Sequence, residues 1–155
     1  MALLDIVKAG DPGLKQVAQP IEKVDAKLRK LMDNMAETMY AANGVGLAAP
    51  QIGQSIRLVV IDVEDENGLL AMVNPEITKK EGNIVDQEGC LSVPNVFGDV
   101  ERAEKVTVEF LNRWGKKKRL TASGLLARCI QHELDHLEGV LFIDVAKSIR
   151  QGDKK

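Results

Sequence analysis

Histidine is scarce in this chain: only two of the 155 residues carry an imidazole, and only two are cysteine. A site built from three imidazoles is therefore excluded. Two cysteines could form at most one disulfide. Nothing else suggests secretion, so reduced thiols in an intracellular chain are expected, serving as metal ligands, nucleophiles or packed core. Neither sign of charge dominates. The net charge of −2 provides no overall electrostatic footprint for nucleic acid or an anionic membrane. No apolar run approaches the length of a membrane span. The opening residues lack a basic segment followed by a long apolar core, so no signal peptide is expected and a cytoplasmic location follows. Internal repeats, low-complexity tracts and Pro/Ser-rich linkers are missing too. What is present is an ordinary globular composition, 45% apolar and 28% charged, long enough for one domain over residues 1–155 with a real core.

Patterning along the chain places the elements. Leu28, Leu31, Met32, Met35 and Met39 recur with helical spacing, and Asp25 stands where an N-cap belongs, predicting a helix over 25–40. Residues 43–53, NGVGLAAPQIG, read as a loop rich in small side chains. IRLVVIDV at 56–63 and LLAMVNPEI at 69–77 read as strands. KVTVEFL at 105–111 alternates with period two, NRWGK turns, and KKRLTA follows, giving a hairpin. A second helix is predicted over 123–138 with Gly139 as its stop, then a short strand, VLFIDV, at 140–145. The last eight or so residues are expected to be a frayed tail. Strands followed by a helix imply an α+β fold, mostly antiparallel sheets packed around a central metal-binding helix.

Both histidines fall within CIQHELDHLEG, residues 129–139. His132 and His136 flank Glu133 in an H-E-x-x-H pattern, and residues four apart share one helical face, so both imidazoles can reach one ion. The pattern alone also arises in helices that bind nothing. A catalytic centre normally takes three protein ligands and keeps one open position, so a third is needed. Cys129 shares the helical face but lies seven residues from His136, roughly 10 Å along the axis. That is too far for bonds of about 2–2.3 Å to one ion; it is better read as a packing or pocket residue. Glu138 points to the wrong side, and Asp144 serves only if the chain folds back quickly. Cys90, in DQEGCLSVP at 86–94, is the remaining candidate. A thiolate with two imidazoles leaves a fourth position for water and suits zinc or ferrous iron.

Three separated segments now carry a resemblance: GVGLAAPQ at 44–51, EGCLS at 88–92 and QHELDH at 131–136. In content, order and separation they closely resemble the peptide deformylases, from about Leu4 to Asp144. VNP at 73–75 and RAEKV at 102–106 add weaker support. A zincin protease would share only the last of the three segments. The resemblance implies a single catalytic domain that removes the formyl group from the N-terminal formylmethionine of nascent polypeptides, releasing formate. It implies Cys90, His132 and His136 as metal ligands and Glu133 as general acid/base. Gln51 and the backbone N–H of Leu91 would stabilise the oxyanion, and Val45, Gly46 and Gly89 would meet the substrate. One divalent ion per chain is implied, ferrous iron first, with nickel, cobalt or zinc able to substitute. The implied partners are N-formylmethionyl nascent peptides and the ribosome near its tunnel exit, with no sequence-specific nucleic acid and no membrane. Many bacterial members carry a longer basic C-terminal helix; here the chain stops at AKSIRQGDKK.

Elementary chemistry agrees with that assignment. Hydrolysing a formamide at neutral pH needs an activated water, a proton carrier and donors for the developing alkoxide. Leu125 and Cys129 share the ligand face of the helix and are expected to line an apolar pocket for a methionine side chain. Arg128 is expected at the pocket rim or in solvent, and Asp86 introduces polarity near the wall. Asp135 is expected either to accept a histidine N–H or to be solvated. Glu88 and Arg102 are expected to pair and brace the Cys90 loop. Two other readings compete. A zincin-like endopeptidase requires a downstream third ligand, and a structural metal or peptide-binding module tolerates loss of Glu133.

Overall fold

The computed structural model describes residues 3–151. Its first long element is α1, Ala26–Ala41, started by the Asp25 carboxylate, which accepts a hydrogen bond from Leu28 N at 2.9 Å. The loop that follows contains a three-residue strand, β1 (Gly46–Ala48), and a single 3₁₀ turn, Ala49–Ile52. Then come β2 (Leu58–Ile61), β3 (Leu70–Glu81), β4 (Ile84–Cys90), β5 (Val93–Arg102), β6 (Lys105–Leu111) and β7 (Lys117–Ser123). Helix α2, Gly124–Leu137, is followed by the short α3, Phe142–Val145, and β8, Ser148–Gln151.

Two antiparallel sheets result. One has the order β1-β2-β3-β6-β7 and the other β4-β5-β8. Strand β2 is buried along its whole length, and its alternate side chains serve two cores. Leu58 and Val60 meet Leu28, Met32, Met35 and Met39 of α1. Val59 and Ile61 meet Ala127, Cys129 and Ile130 of α2. A strand covered on both faces reads as a continuous apolar run, which is what LVVI is. Each such side chain gives about 1.5–3 kcal/mol on burial. A third cluster, with Leu14, Val93, Val100, Leu141 and Phe142, seats the smaller sheet.

Helix α2 therefore lies on the larger sheet and is tied to the smaller by polar bonds, among them Arg128 Nη2 to Ile84 O and Arg128 Nη1 to Val100 O. Its end is set by Gly139, at φ 74°. A Cβ there would sit 2.4 Å from Lys15 O, so only glycine fits.

Three expectations need correction. VLFIDV contains α3 instead of a strand, because Asp144 Oδ2 accepts from Leu141 N at 2.9 Å and caps a helical turn. Residues 43–53 are not wholly loop, since β1 pairs with β2. The expected tail is not frayed over Ser148–Gln151, which pairs with β5; the rest of that expectation, residues 152–155, lies outside the described residues.

Candidate active site

Three elements converge on one point. Strand β4 ends on Cys90, after an irregular step in its pairing with β5 between Glu88 and Cys90. Helix α2 contributes His132, Glu133 and His136. The 3₁₀ turn after β1 contributes Gln51. The ligand atoms of Cys90, His132 and His136 all lie within 4.8 Å of one another, and Cys90 Sγ is 3.4 Å from His136 Nε2. One sulfur and two imidazole nitrogens make a donor set that suits zinc or ferrous iron, and the spacing fits a single ion. Cys129 is not one of the grouped ligands; it is buried in the core under α2 and presents to the cavity beside the cluster.

A buried carboxylate organises the cluster. Glu88 receives Arg102 Nε and Nη2 at 2.9 and 3.0 Å, Arg128 Nη1 at 2.6 Å and His132 Nδ1 at 2.9 Å. Burial alone would raise its pKa, but the bonds from His132 and Arg102 outweigh it and hold the carboxyl down at about 2. An ionised acceptor fixes the proton on His132 Nδ1 and leaves Nε2 free for an ion. Burial holds His136 well below its ordinary range, keeping it neutral, as a ligand must be.

Glu133 is different. Its Oε1 is buried without a hydrogen-bond partner. Burial, only partly opposed by His132, pushes its carboxyl up to about 7. Strand β1 passes so close that a Cβ on Gly46 would lie 2.5 Å from Glu133 Oε2. Glycine is required there for lack of space, not for an unusual φ. Gln51 Oε1 accepts from Ala48 N at 2.9 Å, while its Nε2 donates to Ser92 Oγ at 3.0 Å and faces Cys90 Sγ at 3.5 Å.

Above the cluster opens a cavity of about 420 Å³. Its wall brings together Val45, Gly46, Gln51, Gly89, Cys90, Leu91, Leu125, Cys129, His132 and Glu133, every site residue singled out in the sequence except His136, which lies beneath. Leu125 is 55% exposed and forms a lip instead of a floor.

Three side chains depart from expectation. Arg128 is buried and bonded to Glu88, Val100 and Ile84, not at the rim. Asp135 accepts from Arg102 Nη1 at 2.5 Å; the carboxylate that receives a histidine N–H is Glu88. Ser92 was not singled out although it stands in the EGCLS segment and holds Gln51 in place. Its role depends on a contact across 41 residues, which no local spacing signals.

Comparison with known proteins follows the same outline. The sequence model of polypeptide deformylase matches residues 3–152. Peptide deformylase from Carboxydothermus hydrogenoformans is 54% identical over 149 residues, covering 96% of this chain and 97% of that protein. The Halothermothrix orenii enzyme is 53% identical, with 99% of each chain covered. Among solved structures, peptide deformylase from Thermotoga maritima superposes with a TM-score of 0.92 at 43% identity, over 96% of this chain and 100% of that one. That from Synechococcus elongatus, in complex with actinonin, gives 0.90 at 48%, over 94% and 79%. On the strength of a matched family model and near-complete relatives at about half identity, the chain belongs to the polypeptide deformylase family.

Proposed function

We propose that Cys90, His132 and His136 hold one divalent ion, ferrous iron by preference, and that Glu133 carries the proton in a deformylation reaction. As a deformylase the chain is a metal-dependent hydrolase. It removes the formyl group from the amino termini of nascent polypeptides and releases formate. An ion held by a thiolate and two imidazoles supplies Lewis acidity and acidifies the water it binds.

The remaining work falls to the protein. Glu133 accepts a proton from the attacking water and returns it to the departing amine nitrogen; its uncommitted Oε1 and raised pKa suit both steps. Gln51 Nε2 and the N–H of Leu91 donate to the developing oxyanion. The substrate backbone lies along the edge of β1, at Val45 and Gly46, as an added strand, with Gly89 opposite. Leu125 and Cys129 receive the methionine side chain. The formylated terminus is the first part of a chain to emerge in synthesis. We therefore place the reaction in the cytoplasm, near the ribosomal tunnel exit. Among the described residues no helix is long and apolar enough to cross a membrane.

The single observation that carries this reading is the Cys90–His132–His136 group beside a buried carboxylate oxygen with no partner. The test is formate release from a formyl-Met tripeptide, using protein loaded with ferrous iron or nickel under argon, beside Glu133→Ala. Turnover lost in the variant while metal is retained supports the assignment. Turnover that survives removes Glu133 from its role.

A further inference from the structure

The overall charge of −2 conceals a local concentration of the opposite sign. The β6–β7 hairpin, from Asn112 to Arg119, reads NRWGKKKR. Lys116, Lys117, Lys118 and Arg119 are all exposed, and none has an acidic partner among the described residues. At the tip stands Trp114, the only tryptophan, 65% exposed. The Arg29 guanidinium lies 4.9 Å from its ring centroid and that of Arg113 lies 5.7 Å away.

The tip is pre-shaped. Asn112 Oδ1 accepts from Trp114 N at 2.9 Å and Lys116 N at 3.0 Å, and Arg113 is clamped by Asp33 at 2.5 and 3.1 Å. Beside the indole a cavity of about 430 Å³ runs between Leu69, Phe110 and Lys118. An exposed indole costs the fold apolar surface, and Lys117 and Arg119, alternate residues of β7 that share one face, repel each other. Neither is explained by packing.

We propose that this hairpin tip docks single-stranded or looped RNA. An unpaired base stacks on the indole of Trp114, and Arg29, Lys117 and Arg119, the last two sharing one face of β7, engage the flanking phosphates. Aromatic faces interleaved with unpaired cations are what such a ligand uses, since every base has a π-face and each nucleotide a charge. A bilayer fits less well. Its insertion needs several protruding apolar side chains, and here one ring protrudes among charges. The site is also remote from the chemistry. Strand β1 lines the catalytic cavity and β7 is the opposite edge of the same sheet, four strand spacings or roughly 19 Å away. Docking there leaves the cavity open to peptide, and the inference stands apart from the deformylase reading.

Because Trp114 is the sole tryptophan, its emission reports the event directly. The metal-loaded full chain is titrated with a ten-nucleotide oligoadenylate at low salt, and binding is followed in parallel by polarisation of labelled RNA. Quenching is expected, with log Kd against log salt having a slope of about 2, from roughly 0.7 for each of three phosphates. Trp114→Leu is expected to weaken polarisation binding about tenfold, and the double variant Lys117→Glu/Arg119→Glu by more. Both variants should turn over a formyl-Met tripeptide at the parent rate. Polarisation unchanged by either variant overturns the proposal. So does equal competition by polyglutamate, or a blue shift with phosphatidylglycerol vesicles and no response to RNA.

Discussion

Glu88 Oε1 lies 2.9 Å from His132 Nδ1, with both side chains buried, so one carboxylate decides which nitrogen of that imidazole faces the cluster. The same carboxylate neutralises Arg102 and Arg128. Replacing it disturbs the ligand, leaves the buried Arg128 without a carboxylate and leaves Arg102 with Asp135 alone. Glu88→Gln is expected to weaken metal binding by about 10–100-fold and to destabilise the fold by roughly 3–5 kcal/mol. Metal titration against a competing chelator and thermal melting of the apo protein measure the two effects. Near-parental values in both would deny Glu88 its place in the site.

Gly46 offers a sharper test of geometry. A methyl group there would lie 2.5 Å from Glu133 Oε2, so Gly46→Ala must displace the carboxylate, β1, or both. A displacement of about 1 Å costs on the order of 10²-fold in rate. The variant should bind metal as the parent does and lose turnover to that degree. Unimpaired kcat would show that the carboxylate position is not critical.

Gln51 donates through Nε2 and is itself anchored through Oε1 by Ala48 N. Gln51→Ala should lower kcat by about 10²–10³-fold with little change in metal content. A variant that fails only in KM would assign Gln51 to peptide binding.

The two thiols should differ in reactivity. Cys129 is buried, and burial followed by the charges of Glu133 and Glu88 raises its pKa to about 12, leaving almost no thiolate at pH 8. Cys90 is only half-buried, whereas Cys129, in the same cavity wall, is buried. Iodoacetamide should therefore label one cysteine, Cys90, and only after chelation of the metal. Peptide mass mapping that finds Cys129 modified in folded protein contradicts this.

Metal removal should also cost stability. The ligands come from β4 and α2, and Cys90 and His136 are 46 residues apart, so an ion clamps together two parts of the fold. An ion present at 100 times its Kd adds about 2.7 kcal/mol. Calorimetry with and without chelator should show a fall in Tm; coincident melts would mean that the cluster holds no ion.

Much of this was legible in the sequence, and the limit has a physical basis. Both long helices and the β6–β7 hairpin follow local periodicity, and Asp25 caps α1 as its position suggests. The smaller sheet was invisible because β4 is exposed along most of its length, so no alternation marks it, and β5 carries a proline and a glycine within its run. At the site, His132 and His136 are related by one turn of helix, which sequence spacing encodes. Glu88 binding both His132 and Arg128 depends on how β4 crosses α2. A helical wheel gives Arg128 an angle but no partner, hence its expected place at the rim.

Strand β1 is three residues long and stands at the edge of its sheet. A peptide that completes that edge is held by amide groups common to all amino acids, so attachment carries no information about which protein is being made. In the proposed binding mode, selectivity would fall to one end of the substrate: a formyl group at the cluster and a side chain in the adjoining wall. Bound in that way, one enzyme would serve many different chains through the backbone they share.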